Sequence, residues 1–254
     1  MTLRLSPRGS TRWLAGLVLW LLASAASAST LSVNPVLITL DDSSAIAALT
    51  VTNRGEHKVV MQASAHDWHI RNNESHYQST KALVVTPPVF SVAPGKHQIV
   101  RIGLRNASQS STEQAFRVFL AQSPKTPGNK SSASDGKGTN SPDGIRVALR
   151  FGIPVFIEPT GDREPNLTWK AKRLADGHLR VEAINNGNAH VKIQHLTLST
   201  GGSVAAQSQK SRYVLPGSRR YWTLDVPTTS TPPYNVTAQD RNGERQATIE
   251  PSTL

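Results

Sequence analysis

The 254-residue chain has no cysteine. That excludes disulfide staples, thiolate metal sites and a cysteine nucleophile. Any compact structure must rest on apolar burial, which a chain of this length can supply. Aromatic residues are scarce at 6 %. Beyond the first 28 residues tryptophan is limited to Trp68, Trp169 and Trp222, which counts against an aromatic sugar-stacking cleft. Acidic residues are also few: 17 against 28 Lys and Arg, for a formal net charge of +11. Such an excess either keeps the chain soluble or attracts carboxylates and acidic polypeptides. No stretch has sustained helical periodicity, and only the N-terminus carries a long apolar run.

That run has the anatomy of an export signal. Arg4, Arg8 and Arg12 form a basic front, residues 13–22 an apolar core, and Ala26-Ser27-Ala28 a small-x-small cleavage site. The apolar core is short for a membrane span. Residues 1–28 are therefore expected to be a signal peptide. The remainder is expected to be exported and soluble, with no stable membrane insertion after cleavage. Nucleic acid is not an expected partner of an exported protein.

What is present is a succession of short strand patterns. Residues 31–40, 46–53, 59–70, 82–86, 90–92, 98–104 and 115–122 alternate or run apolar between turn signals. Pro35 suits an edge strand or one that switches sheets. A polar segment, 123–144, built almost wholly of Ser, Gly, Pro, Asn, Asp, Lys and Thr, has no periodicity and reads as a disordered loop. After residue 159 the strand patterns resume at 167–173, 179–184, 191–198, 213–215, 220–226, 234–239 and 245–249. Asp176-Gly177, Gly201-Gly202, Pro216-Gly217 and Asn242-Gly243 mark turns between them. Short strands at this spacing predict an all-β chain of two tandem Ig-like β-sandwiches, 29–159 and 160–254.

Residues 145–159, IRVALRFGIPVFIEP, organise the chain. Ile145, Val147, Leu149 and Phe151 share one parity, and Arg146, Ala148 and Arg150 the other. Residues 153–157 are nearly all apolar and read as a strand buried on both faces. Two readings fit the alternating half. The four apolar side chains fill the sandwich core, or they form a row that a second polypeptide covers. In the second case an added strand gains backbone hydrogen bonds of about 1 kcal/mol net each. Docked side chains add roughly 1.5–3 kcal/mol apiece before association costs.

No convergent set of acids, bases or nucleophiles points to an enzyme. His66-x-x-His69 has an odd spacing, which on a strand puts the rings on opposite faces. Neither a metal nor a cofactor is expected.

Several pieces of residues 31–159 resemble the PapD-like periplasmic chaperones of the chaperone–usher pathway. They are Leu49-Thr50-Val51-Thr52-Asn53, the strand ending at Trp68, Thr86-Pro87-Pro88-Val89-Phe90, Pro94-Gly95 with Val100-Arg101-Ile102, residues 113–116, and 145–159. Ile184-Asn185-Asn186-Gly187-Asn188 and Val214-Leu215-Pro216-Gly217-Ser218 extend the likeness into the second half. The resemblance implies a boomerang of two Ig-like domains and a non-enzymatic role. It implies a periplasmic chaperone for fimbrial or spore-coat-like pilin subunits that delivers them to an outer-membrane usher. The subunit-binding donor strand would present Ile145, Val147, Leu149 and Phe151. The family's basic anchors for the subunit carboxylate fall on Leu37 and Pro154 here, which suggests a divergent or archaic-type branch. Arg117 and Arg150 then become the candidate carboxylate anchors, with Arg101 third. The alternative is a secreted Ig-like adhesion or carbohydrate-binding module.

Overall fold

The computed structural model describes residues 31–41, 43–105, 110–123 and 148–252. The expected signal peptide, Ile145, Val147 and nearly all of the polar segment lie outside the described residues. Every regular element among the described residues is a strand. The first half contains β1 (Leu31–Asn34), β2 (Ile38–Leu40), β3 (Ile46–Asn53), β4 (Val59–Arg71), β5 (Glu74–Ser79), β6 (Leu83–Thr86), β7 (Val89–Val92), β8 (His97–Leu104), β9 (Gln114–Gln122) and β10 (Arg150–Ile157). The second contains β11 (Leu167–Arg173), β12 (Leu179–Asn185), β13 (Val191–Ile193), β14 (His195–Thr200), β15 (Ser203–Ser208), β16 (Arg212–Val214), β17 (Arg219–Leu224), β18 (Tyr234–Asp240), β19 (Gly243–Ile249) and β20 (Pro251–Ser252).

In the first sandwich one sheet runs β1-β3-β8-β6 and the other β2-β10-β9-β4-β5, with β7 also on β4. Alternation supplies the layer between them. Leu49, Val51, Val100 and Ile102 of one sheet meet Met61, Val118, Leu120 and Val155 of the other, all fully buried. The second sandwich packs β17-β12-β11-β20 against β15-β14-β18-β19, with β13 and β16 paired between them. Its core includes Val181, Trp222, Leu196, Leu198 and Val236.

The stretch 31–40 divides at Pro35. β1 pairs with β3 in one sheet, while β2 lies parallel to β10 in the other. A proline lacks the N–H that a continuous ladder needs, so the chain changes sheet there. Residues 191–198 also form two strands rather than the single one expected. They part at Gln194, whose N–H donates to Gln239 O at 2.8 Å. Of the strand expected from residue 145, residues 145–147 lie outside the described residues; β10 runs from Arg150 to Ile157, and residues 153–157 are buried as expected.

Both sandwiches use the same device at the end of a central strand. Asn53 is fully buried and its Nδ2 donates to His57 O and Val92 O, while Gly55 N–H donates to its Oδ1. Asn185, also fully buried, repeats this with Ala189 O, Val214 O and Gly187 N–H. Each is thus a buried polar side chain with its hydrogen bonds satisfied. Gly187 also passes against the connection between sandwiches. A Cβ there would lie 2.1 Å from Glu164 O and 2.4 Å from Asn166 N, so no larger residue fits.

Candidate functional site: an open strand edge beside an arginine-lined cleft

β9 covers one edge of β10 along its whole length, from Arg150 opposite Ala121 to Ile157 opposite Gln114. The other edge is different. β2 pairs only with Val155, Phe156 and Ile157. Among the described residues no strand covers that edge over 150–154. Unpaired edge backbone is a template for another strand.

On the inner face Ile153, Val155 and Ile157 are sealed in the core. Leu149 and Phe151 continue the same row, half-buried and packed against that core. The row therefore passes from closed to open as it runs back toward the polar segment.

The outer face of this sheet carries an aromatic pad. His66, Tyr77 and Phe119 contact one another edge-on through Phe119, with centroid separations of 5.2 and 5.1 Å. Arg150 is exposed and lays its guanidinium 3.8 Å over the Phe119 ring. Arg117 extends across Gly152, donates from Nη1 to Gly152 O at 3.0 Å, and lies 4.1 Å over Trp68. Gly152 makes this possible: a Cβ there would sit 3.1 Å from Phe119 Cε1 and 3.4 Å from Arg117 Cδ. Arg117 and Arg150 are thus on one face, to either side of Phe119. Arg101 belongs to the opposite sheet, exposed and aligned with Ala48 and Thr86.

Burial pushes the Arg117 guanidinium below its ordinary pKa, while Tyr77 and Tyr213 oppose that shift. The group remains a cation, as arginine does in proteins. No carboxylate lies within ion-pair distance of it among the described residues, and its Nε has no hydrogen-bond partner. A half-desolvated cation with this deficit suits an incoming anion.

The same face meets the second sandwich. Trp68, Phe156 and Leu215 form a small buried cluster, with Leu37 and Tyr213 packed against it. Leu37, where the resemblance would put a basic anchor, packs against this cluster, and Pro154, the other such position, is buried. Beside this cluster lies a cleft of about 460 Å³ lined by Trp68, Ser75, Arg117, Arg212, Tyr213 and Arg220, among others. Arg220 is almost fully buried, donating from Nε to Tyr213 O at 3.1 Å and from Nη2 to Ser75 Oγ at 2.8 Å, with a third bond to Asn73 O.

Sequence reasoning did not single out Arg212 or Arg220. They sit in weak strand patterns, and only the meeting of two sandwiches brings them to Arg117. Among the described residues no group of three or more His, Asp or Glu could hold a metal ion.

Two tandem Ig-like sandwiches of this topology define the class of two-domain, all-β proteins built on the plan of the pilus chaperones. Residues 30–162 match the family model "Pili and flagellar-assembly chaperone, PapD N-terminal domain", and the chain belongs to that family, whose role is non-enzymatic. The fold is shared with a chain of the CsuC–CsuE chaperone–tip adhesion subunit pre-assembly complex from the archaic Csu pili of Acinetobacter baumannii. Identity is 17 %, the TM-score 0.64, and the match covers 89 % of this chain and 100 % of that one. It is shared too with the CupB2 chaperone of Pseudomonas aeruginosa, at 18 % identity and TM-score 0.57, covering 87 % and 100 %. The SafA pilin–SafB chaperone complex of Salmonella enterica matches at 14 % and 0.57, covering 88 % and 98 %. No curated protein sequence matches the chain.

Proposed function

We propose that the chain is a periplasmic chaperone which binds pilin subunits by donor-strand complementation and passes them to an outer-membrane usher. Residues 1–28 direct export, 29–159 bind the guest, and 160–254 complete the cleft. The observation that carries this reading is the edge of β10 over residues 150–154, which no strand covers among the described residues, next to the half-buried Leu149 and Phe151. A guest strand laid there gains main-chain hydrogen bonds along the edge and apolar contact along the row. Ile145 and Val147 would extend that row. Relatives described as chaperone–subunit complexes support a pilin as guest. Arg117, assisted by Arg150, would take the guest's terminal carboxylate through charge-assisted hydrogen bonds.

The test is co-expression with the small exported β-rich proteins encoded beside an usher gene. The wild type should co-purify with such a subunit. Val147→Asp and Leu149→Asp should abolish capture while the chaperone stays folded by circular dichroism. Full capture by both variants would refute the donor row.

A further inference from the structure

Charge in the interdomain cleft is unbalanced beyond what one terminal carboxylate answers. Arg117 enters from the first sandwich, and Arg212 and Arg220 from the second. Glu74 is the one acidic residue in the lining, and no ion pair joins it to any of the three arginines among the described residues. Every hydrogen bond from Arg220 goes to an uncharged acceptor: Tyr213 O, Asn73 O and Ser75 Oγ. Among the described residues Arg212 reaches only Asn73 O, at 3.5 Å, and its Nε has no partner. Burial depresses the Arg220 pKa, and the neighbouring Arg212 cation depresses it further. Two close guanidinium groups with no ion-paired carboxylate among the described residues form an anion site.

We propose that this cleft selects guests whose C-terminus carries an acidic side chain just before the terminal residue. Arg117 takes the terminal carboxylate. Arg212, beside Arg220, takes the Asp or Glu side chain. The inference rests on the chaperone reading above and adds a specificity rule to it. The cleft's volume lies in the range of small-ligand pockets.

The experiment uses the full exported chain and two N-acetylated hexapeptides with free C-termini, identical except for Asp or Asn at the penultimate position. Binding is followed by NMR at the Trp68 indole N–H, which lies under Arg117 and has no hydrogen-bond partner among the described residues. The Asp peptide should bind about tenfold more tightly than the Asn peptide, the worth of one charge-assisted contact. Arg212→Gln should erase that preference, lowering the Asp peptide's affinity more than the Asn peptide's. Arg117→Gln should weaken both peptides alike. Equal affinity for the two peptides, no binding of either, or a preference that survives Arg212→Gln overturns the proposal. A chain that shows the preference but captures no subunit refutes the chaperone reading and leaves the pocket standing. Capture without the preference refutes the pocket alone.

Discussion

Gly152 shows how one missing side chain sets the site. Phe119 and Arg117 both occupy the space above it, and the Arg117 guanidinium closes a bond to its carbonyl. A branched residue there has to displace the ring, the guanidinium, or both. Gly152→Val should therefore move Arg117 off Trp68 while favouring the extended backbone, since glycine in a strand costs roughly 0.5–1 kcal/mol of stability. The expected result is an unfolding midpoint close to the wild type with guest capture weakened about tenfold, measured by urea titration and competition binding. Unchanged capture would mean that the Arg117 pose is irrelevant. Arg117 and Arg150 were visible in the sequence as cations in apolar strands. Arg212 and Arg220 were not, because nothing in their local pattern distinguishes them from solvated strand positions; their role comes from Asn73 and Ser75, about 140 residues earlier in the chain.

Along β10 the apolar row changes from sealed to half-buried, and the point of change can be located. Ile153 is 4 % exposed and faces Val118 across the ladder, whereas Leu149 lies outside the strand, half-buried. An aspartate at Ile153 would carry a charge into a core with no partner. Ile153→Asp should cost upward of about 3 kcal/mol, read as a collapse of the chemical-denaturation midpoint. Leu149→Asp should cost no more than about 1 kcal/mol and move that midpoint only slightly, as for a partly solvated site. Similar losses from both would place Leu149 in the ordinary core. Alternation made most of these strands legible. It failed at β5, whose ESHYQS has no apolar face and is held by its hairpin with β4. β20 escaped notice for a related reason: two residues beside β11 carry no pattern at all. The splits at Pro35 and Gln194 depend on which sheet is nearer, and only Pro35 announces itself in the sequence.

The cleft exists because the sandwiches are pinned together on two sides. At one, Glu113 has a fully buried side chain that accepts from the His190 backbone N–H at 3.0 Å, meets its Nδ1 at 2.7 Å, and accepts from Arg163 at 2.9 Å. At the other, the turn at Asn73 pairs with Tyr221: its Nδ2 donates to Tyr221 O at 3.1 Å and Tyr221 N–H donates to its Oδ1 at 3.0 Å. Asn73 has a φ of 65°, which glycine adopts freely, so Asn73→Gly removes the two side-chain bonds without straining the turn. That should cost about 1–2 kcal/mol at the interface and widen the cleft on the side of Arg220. Glu113→Gln keeps the shape but places an NH₂ group or a neutral oxygen against a backbone donor and a cation, at about 1–3 kcal/mol. The Glu113 carboxylate is shielded from solvent but Arg163 is 40 % exposed, so salt should screen the pair only in part. Small-angle scattering separates the two effects. Asn73→Gly should enlarge the radius of gyration and weaken the preference for an acidic peptide, because Arg212 and Arg220 both lean on the Asn73 carbonyl. Glu113→Gln should lower stability and leave that preference intact, since its partners do not line the arginine cleft. If both variants lost the preference equally, the two pins would act as one rigid hinge and the arginine pair would have no local role.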